Sequence, residues 1–152
     1  MTVLTFTIIV VFALAAVAVK RVPAGQVYSL YRNGKPVRLL QPGTHVVLPL
    51  VDRVGHRIDL SGRVMRFDAS FAEATPVQGT VYWQVLEPER ADAVIESADQ
   101  LIRSGVQQAL QTENETDQQQ RRDVACRLKT SLNQQLRERG VMVTRVELDA
   151  AA

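Results

Sequence analysis

Residues Val3 to Val19 form an unbroken run of seventeen uncharged residues, and only Thr5 and Thr7 interrupt its apolar character. No other feature constrains the chain so strongly. A helix rises 1.5 Å per residue, so the run reaches about 26 Å, at the low edge of a hydrocarbon core of roughly 30 Å. Thr2 at one end, and the long stems of Lys20 and Arg21 at the other, extend it. The expectation is a membrane-spanning anchor over residues 1–21, with Val3, Leu4, Phe6, Ile8, Ile9, Val10, Val11, Phe12, Leu14, Val17 and Val19 facing lipid. A cleaved leader is the rival reading, with Ala13, Ala15, Ala16 and Ala18 as small residues for a peptidase. A leader carries positive charge ahead of its apolar stretch, and residues 1–7 hold none beyond the amino terminus. An uncleaved anchor is therefore favoured. A helix buried in the core is weaker still, because it would be apolar all round with too little chain left to enclose it.

Lys20 and Arg21 follow the run directly, and Arg32, Lys35 and Arg38 come soon after. Positive residues are retained on the cytoplasmic side. The rest of the chain is expected on that face of the cell membrane, tethered by a single pass. Residues 1–76 hold nine Lys/Arg and four Asp/Glu, against nine and twelve in 77–152. Basic residues beside a bilayer attract anionic lipid by about 1 kcal/mol each. Lys20, Arg21, Arg32, Lys35 and Arg38 are accordingly candidates for headgroup contact, with a plain topology signal as the alternative.

The remainder looks like one folded body over residues 22–149 with a short tail, 150–152. At 152 residues in all, 46% hydrophobic and 22% charged, the chain is too apolar for disorder. A net charge of +2 and few aromatics argue against a nucleic-acid binder. One cysteine, Cys126, allows neither a disulfide framework nor a thiolate zinc cage.

Alternation marks strands at 25–32, 37–40, 45–48, 53–60, 63–69 and 77–86. Asn33-Gly34 is a hairpin turn, since both residues tolerate positive φ. Pro42-Gly43 is a second turn, and Pro49 closes the strand before it. In the longest strand Val81, Trp83 and Val85 share one face; Val64 and Phe67 are expected opposite Met65. At Pro88 the period becomes helical through Ala91, Val94, Ile95, Ala98, Leu101 and Ile102, continuing over Val106, Ala109 and Leu110 with a break near Gly105. A second helix starts near Thr116, with Gln119 as its capping-box partner, and buries Val124, Leu128, Leu132 and Leu136. Gly140 ends it as a left-handed cap, and Val141 to Leu148 is a last strand. The fold class is α+β: an apolar helix, a curved, mostly antiparallel sheet, two or more packed helices and a closing strand.

The ordered phrases carry a resemblance. Val22-Pro23-Ala24-Gly25-Gln26-Val27, the glycine turn Arg32-Asn33-Gly34-Lys35, and Leu40-Gln41-Pro42-Gly43-Thr44-His45 come first. Leu48-Pro49 with Val51-Asp52-Arg53-Val54, Asp59-Leu60, and Gly79-Thr80-Val81-Tyr82-Trp83-Gln84-Val85 with Glu87-Pro88 and Ala91 follow. Leu136, Gly140, Val143 and Val146 close the set. Together they resemble the stomatin/prohibitin (SPFH, Band 7) domain over nearly the whole chain. Between Asp68 and Pro76, Phe71-Ala72-Glu73-Ala74-Thr75 stands where the family has a Thr-x-acid step. Family members continue into a long charged coiled coil, and this chain is expected to be a short member without it.

No chemistry of an enzyme is legible. His45 and His56 have no converging ligand set at metal spacing, so His45 is read as a structural hydrogen-bond partner. Cys126 points away from the apolar face of its helix and reads as a plain exposed thiol. No serine has a G-x-S-x-G context, and no glycine-rich loop precedes a helix. Asn114-Glu115-Thr116 matches a glycosylation sequon by chance. Arg121, Arg122, Arg127 and Lys129 are interleaved with acids as a solvated face. No cofactor, metal or nucleic acid is expected. The resemblance implies a scaffold or adaptor that organises membrane lipids into microdomains, or modulates a membrane protease, channel or transporter, as a homo-oligomer. A non-catalytic accessory subunit of a membrane protease stays open, as does a secreted or periplasmic binding module if the leader is removed.

Overall fold

The computed structural model describes residues 2–71, 76–113 and 118–149. In chain order the first part forms α1 (Thr2–Ala18), β1 (Val19–Val22), β2 (Gln26–Arg32), β3 (Lys35–Leu40), β4 (Gly43–Val46) and β5 (Asp52–Asp59). Then come β6 (Arg63–Ser70), β7 (Pro76–Val85), α2 (Pro88–Ala91), α3 (Ala98–Leu110), α4 (Gln118–Leu136), a 3-10 turn (Arg137–Arg139) and β8 (Val141–Leu148). The α+β class is as expected. The strands form three antiparallel sheets, β1-β4, β3-β2-β5 and β6-β7-β8, rather than one curved sheet. The chain divides into two units, residues 1–59 and 60–152.

In the first unit the apolar run is helical, and none of the residues of α1 is buried. The helix ends where a sheet claims the chain. Val19 pairs with Val46, and Val47 N–H donates to the Ala18 carbonyl at 2.8 Å. This corrects the expected spanning anchor over 1–21. Val19, Lys20 and Arg21 lie in β1, and among the described residues no helix is long and apolar enough to cross a membrane. Strand pairing withdraws the residues that would have lengthened α1.

Asn33 (φ 51°) and Gly34 (φ 77°) make the two-residue β2–β3 turn, whose twist requires positive φ at both positions. Against β5, β2 faces an irregularity: Tyr28 pairs with Arg57 and Leu30 with Val54, so His56 and Gly55 both face Ser29. Buried Ser29 repairs it. Its Oγ accepts the His56 N–H at 2.8 Å and donates to the His56 carbonyl at 3.3 Å. Val22, Leu30, Leu40 and Val47 form the small core here, with Tyr28 and Val54 against it.

In the second unit β7 is central. Val77, Val81, Trp83 and Val85 are buried on one face, as alternation predicts. On β6, Met65 and Phe67 share the buried face and Val64 is exposed, so the expected pairing of Val64 with Phe67 is corrected by the two-residue period. Gly79 is needed for close approach: a Cβ there would strike the Glu147 carbonyl and lie 2.6 Å from the Phe67 ring. The helical stripe after Pro88 is split. Residues 92–97 are tight turns, with Val94 N–H on the Ala91 carbonyl and Ser97 N–H on the Val94 carbonyl. Gly105 does not break α3; it admits Leu132 of α4, whose Cδ2 would be 2.8 Å from an added Cβ. Thr116 and the sequon lie outside the described residues, as do 72–75 and the tail. α4 buries Val124, Leu128, Leu132 and Leu136 as expected, and Gly140 (φ 69°) is the left-handed cap after the 3-10 turn.

Candidate functional site

The strand registers of the first unit gather five chain segments at the carboxyl end of α1. β1 leaves the helix there and β4 returns there, with Val19 opposite Val46. Val47 is bonded to Ala18. Four residues on, Asp52 opens β5 opposite Arg32, the end of β2, and Arg32 faces Lys35, the start of β3. The 47–51 loop and the β2–β3 hairpin therefore share one end with the helix exit. All five cations singled out from the sequence lie on the elements that build this end.

They are not equivalent. Arg32 is committed to the fold: its Nε donates to Asp52 Oδ1 at 2.7 Å, with the Asp52 side chain almost fully buried. The second oxygen, Oδ2, accepts the Leu48 N–H at 3.3 Å. The Arg32 hydrogen bond, and to a lesser degree the Leu48 N–H and the charges of Arg32 and Arg38, hold the Asp52 carboxyl below the usual carboxylate range; Asp52 raises Arg32 in turn. Arg38 is exposed, with Nη2 3.4 Å from the Val46 carbonyl, which places it beside the helix exit. Lys20, Arg21 and Lys35 are exposed.

The end is also apolar. Beyond α1, eight large hydrophobics among the described residues stand exposed, and six of them are Val19, Val37, Val46, Leu48, Leu50 and Val51. Leu50 is 89% exposed, Val46 68% and Leu48 56%. Reading 45–48 as a strand closed by Pro49 hid this, because β4 ends at Val46 and Leu48 enters a turn. The usable signal was the Leu-Pro-Leu-Val phrase itself, where proline bars the pairing that would bury its neighbours.

The other candidates resolve into structural roles. His45 Nε2 is 2.7 Å from the Gln41 carbonyl, and the His56 ring stands edge-on to Tyr31 at 5.9 Å. Among the described residues no cluster of three or more His, Cys, Asp or Glu is placed to hold a metal. Cys126 is exposed on α4. Of the nearby basic cluster, Arg127 makes a two-pronged ion pair with Glu113 at 2.6 and 2.9 Å, and Arg121 donates to the Asp149 carbonyl.

A sequence model described as the SPFH domain / Band 7 family matches residues 20–151, which takes in β1 from Lys20 onward and every later strand. The chain belongs to the SPFH domain / Band 7 family. It is also 27% identical over 100 residues to an uncharacterized protein of Schizosaccharomyces pombe, a match covering 62% of this chain and 28% of the relative. This SPFH chain thus spans less than a third of that relative's length.

Proposed function

We propose that this SPFH protein is a membrane-attached, non-catalytic scaffold of the stomatin/prohibitin type, held at the bilayer by α1. The observation that carries the reading is α1 itself: an uncharged helix with no buried residue, joined without a linker to the first strand of the domain. Its ten exposed Val, Ile, Leu and Phe side chains would gain about 0.3–0.6 kcal/mol each in hydrocarbon, roughly 3–6 kcal/mol together. Thr7 suits that medium, because its hydroxyl donates to the Val3 carbonyl at 2.9 Å and is not left bare. At about 26 Å the helix falls short of a 30 Å layer, so it is held in the bilayer without crossing it on its own, and Lys20 and Arg21 meet the headgroups at its end.

The domain then lies on the cytoplasmic face and works by surface recognition. Confinement beside the bilayer raises its effective concentration toward a membrane protease, channel or transporter and toward further copies of itself. The test is flotation of the full chain with phosphatidylcholine vesicles, followed by an alkaline carbonate wash. Retention in the floated fraction is the expected result; quantitative release to the aqueous phase removes the anchoring role.

A further inference from the structure

We propose that the cleft between α4 and the open edge of β8 takes an acidic segment of a partner protein, added to the sheet as an extended strand. The cleft lies wholly in the second unit, and its role does not depend on α1 being in a bilayer. Asp149 N–H donates to the Gln78 carbonyl at 2.8 Å, so Asp149, Glu147 and Arg145 turn their backbone groups toward β7. Val146 and Leu148, between them, turn theirs outward.

α4 is pinned beside this edge at two points. Asn133 holds both outward groups of Val143, and Arg121 Nη1 donates to the Asp149 carbonyl at 2.9 Å. From 121 to 133 the helix rises about 18 Å, and from 143 to 149 the strand spans about 20 Å, so the two run side by side. Between the pins lies a cleft of about 660 Å³, with Ala125 and Cys126 on its helix wall and Val146 and Leu148 on its strand wall.

Charge selects the occupant. Four cations line the cleft against two carboxylates, and one of those, Glu147, is ion-paired with Arg145 and accepts the Tyr82 hydroxyl. Arg122 and Lys129 stand about 10.5 Å apart along the helix, and neither has an Asp or Glu three or four positions away. In an extended strand alternate side chains share a face at about 6.7 Å spacing, so acidic residues at i, i+2 and i+4 reach both cations. A headgroup or free phosphate offers acceptors alone and leaves the outward carbonyls of Val146 and Leu148 unmatched, whereas a strand offers donors and acceptors in turn. A second copy's β8 brings an arginine with its glutamate, no net charge for Arg122 and Lys129 to meet.

The experiment follows the fluorescence anisotropy of a labelled short peptide alternating glutamate and valine, titrated with the full chain in nonionic detergent, so its result is separate from the flotation test. Binding is expected to weaken about tenfold for a glutamine-valine peptide and for the double variant Arg122→Gln with Lys129→Gln. It stays unchanged for Arg139→Gln, on the 3-10 turn outside the cleft lining. Peptides N-methylated at every second residue, in either phase, test the strand: one peptide edge faces β8, so one phase abolishes binding and the other is tolerated. Equal affinity for the glutamate and glutamine peptides, no loss in the double variant, or tolerance of both methylation phases overturns the proposal. So does absence of binding; a particle that Leu148→Pro then halves in size puts a second copy on the edge instead, since proline there removes an outward N–H and spares the ladder to β7.

Discussion

Among the cations of the first unit, Arg32 has its charge neutralised within the fold, and the consequence is a pH dependence. The Arg32 hydrogen bond holds Asp52 below its ordinary value, so folding favours the ionised carboxyl. The stabilisation is complete above the unfolded carboxylate pKa of about 4 and is lost as pH falls through the lower folded value. Glu113, depressed by its hydrogen bond from Arg127, acts in the same window. Asp52→Asn removes one of these contributions and keeps the shape. The variant is expected to melt lower than the parent at pH 7, with the gap closing as the pH falls below about 4. Thermal melts of both proteins across that range measure it; a gap that is constant with pH means the ion pair contributes nothing. The pairing was not legible beforehand. The five cations are visible as residues, but Arg32 and Asp52 are twenty positions apart, and only the β2–β5 register shows that one of the five is already paired.

At the scale of elements, β8 is the edge strand of its sheet, with backbone groups that a foreign strand could pair. α4 closes part of that edge. Asn133 Nδ2 donates to the Val143 carbonyl at 3.0 Å, and Val143 N–H donates to Asn133 Oδ1 at 2.7 Å. Asn133→Ala strands both groups in a half-buried place and is expected to cost about 1–3 kcal/mol of stability, read by urea denaturation. Asn133→Asp keeps the acceptor alone and should fall between. The same strand shows what alternation can and cannot reveal. Val141, Val143 and Val146 are all buried, and the three-residue step between the last two marks the register shift where Tyr82 pairs with Arg145 and Trp83 with Val143. Alternation thus identified the face and, in hindsight, the bulge. It could not identify partners, which is why one curved sheet was expected where the described residues form three. The stripe from Ala91 to Leu110 misled for a related reason. Ala91, Ile95 and Ala98 are buried at helical spacing, yet residues 92–97 turn more tightly than an α-helix, and burial spacing does not distinguish the two.

Over the whole molecule, charge is divided between the units. Residues 1–59 hold seven Lys/Arg and two Asp/Glu, while 60–152 hold eleven and fourteen. The basic unit is the one that carries α1 and the exposed apolar end, so attraction to anionic lipid and burial of apolar surface act on the same face. The two contributions are separable, because screening weakens charge and leaves hydrophobic transfer nearly intact. Full chain delivered from dilute detergent into a mixture of zwitterionic and phosphatidylserine-rich vesicles should collect on the anionic ones at low salt. Neutralising Lys20, Lys35 and Arg38 together to glutamine removes about 3 kcal/mol, roughly a hundredfold of that preference, and leaves total vesicle recovery unchanged. Arg32→Gln should instead act through stability, since its guanidinium already serves Asp52. If the triple variant keeps the parent's preference, these cations are only a topology signal, and the orientation of the domain on the bilayer then depends on α1 alone.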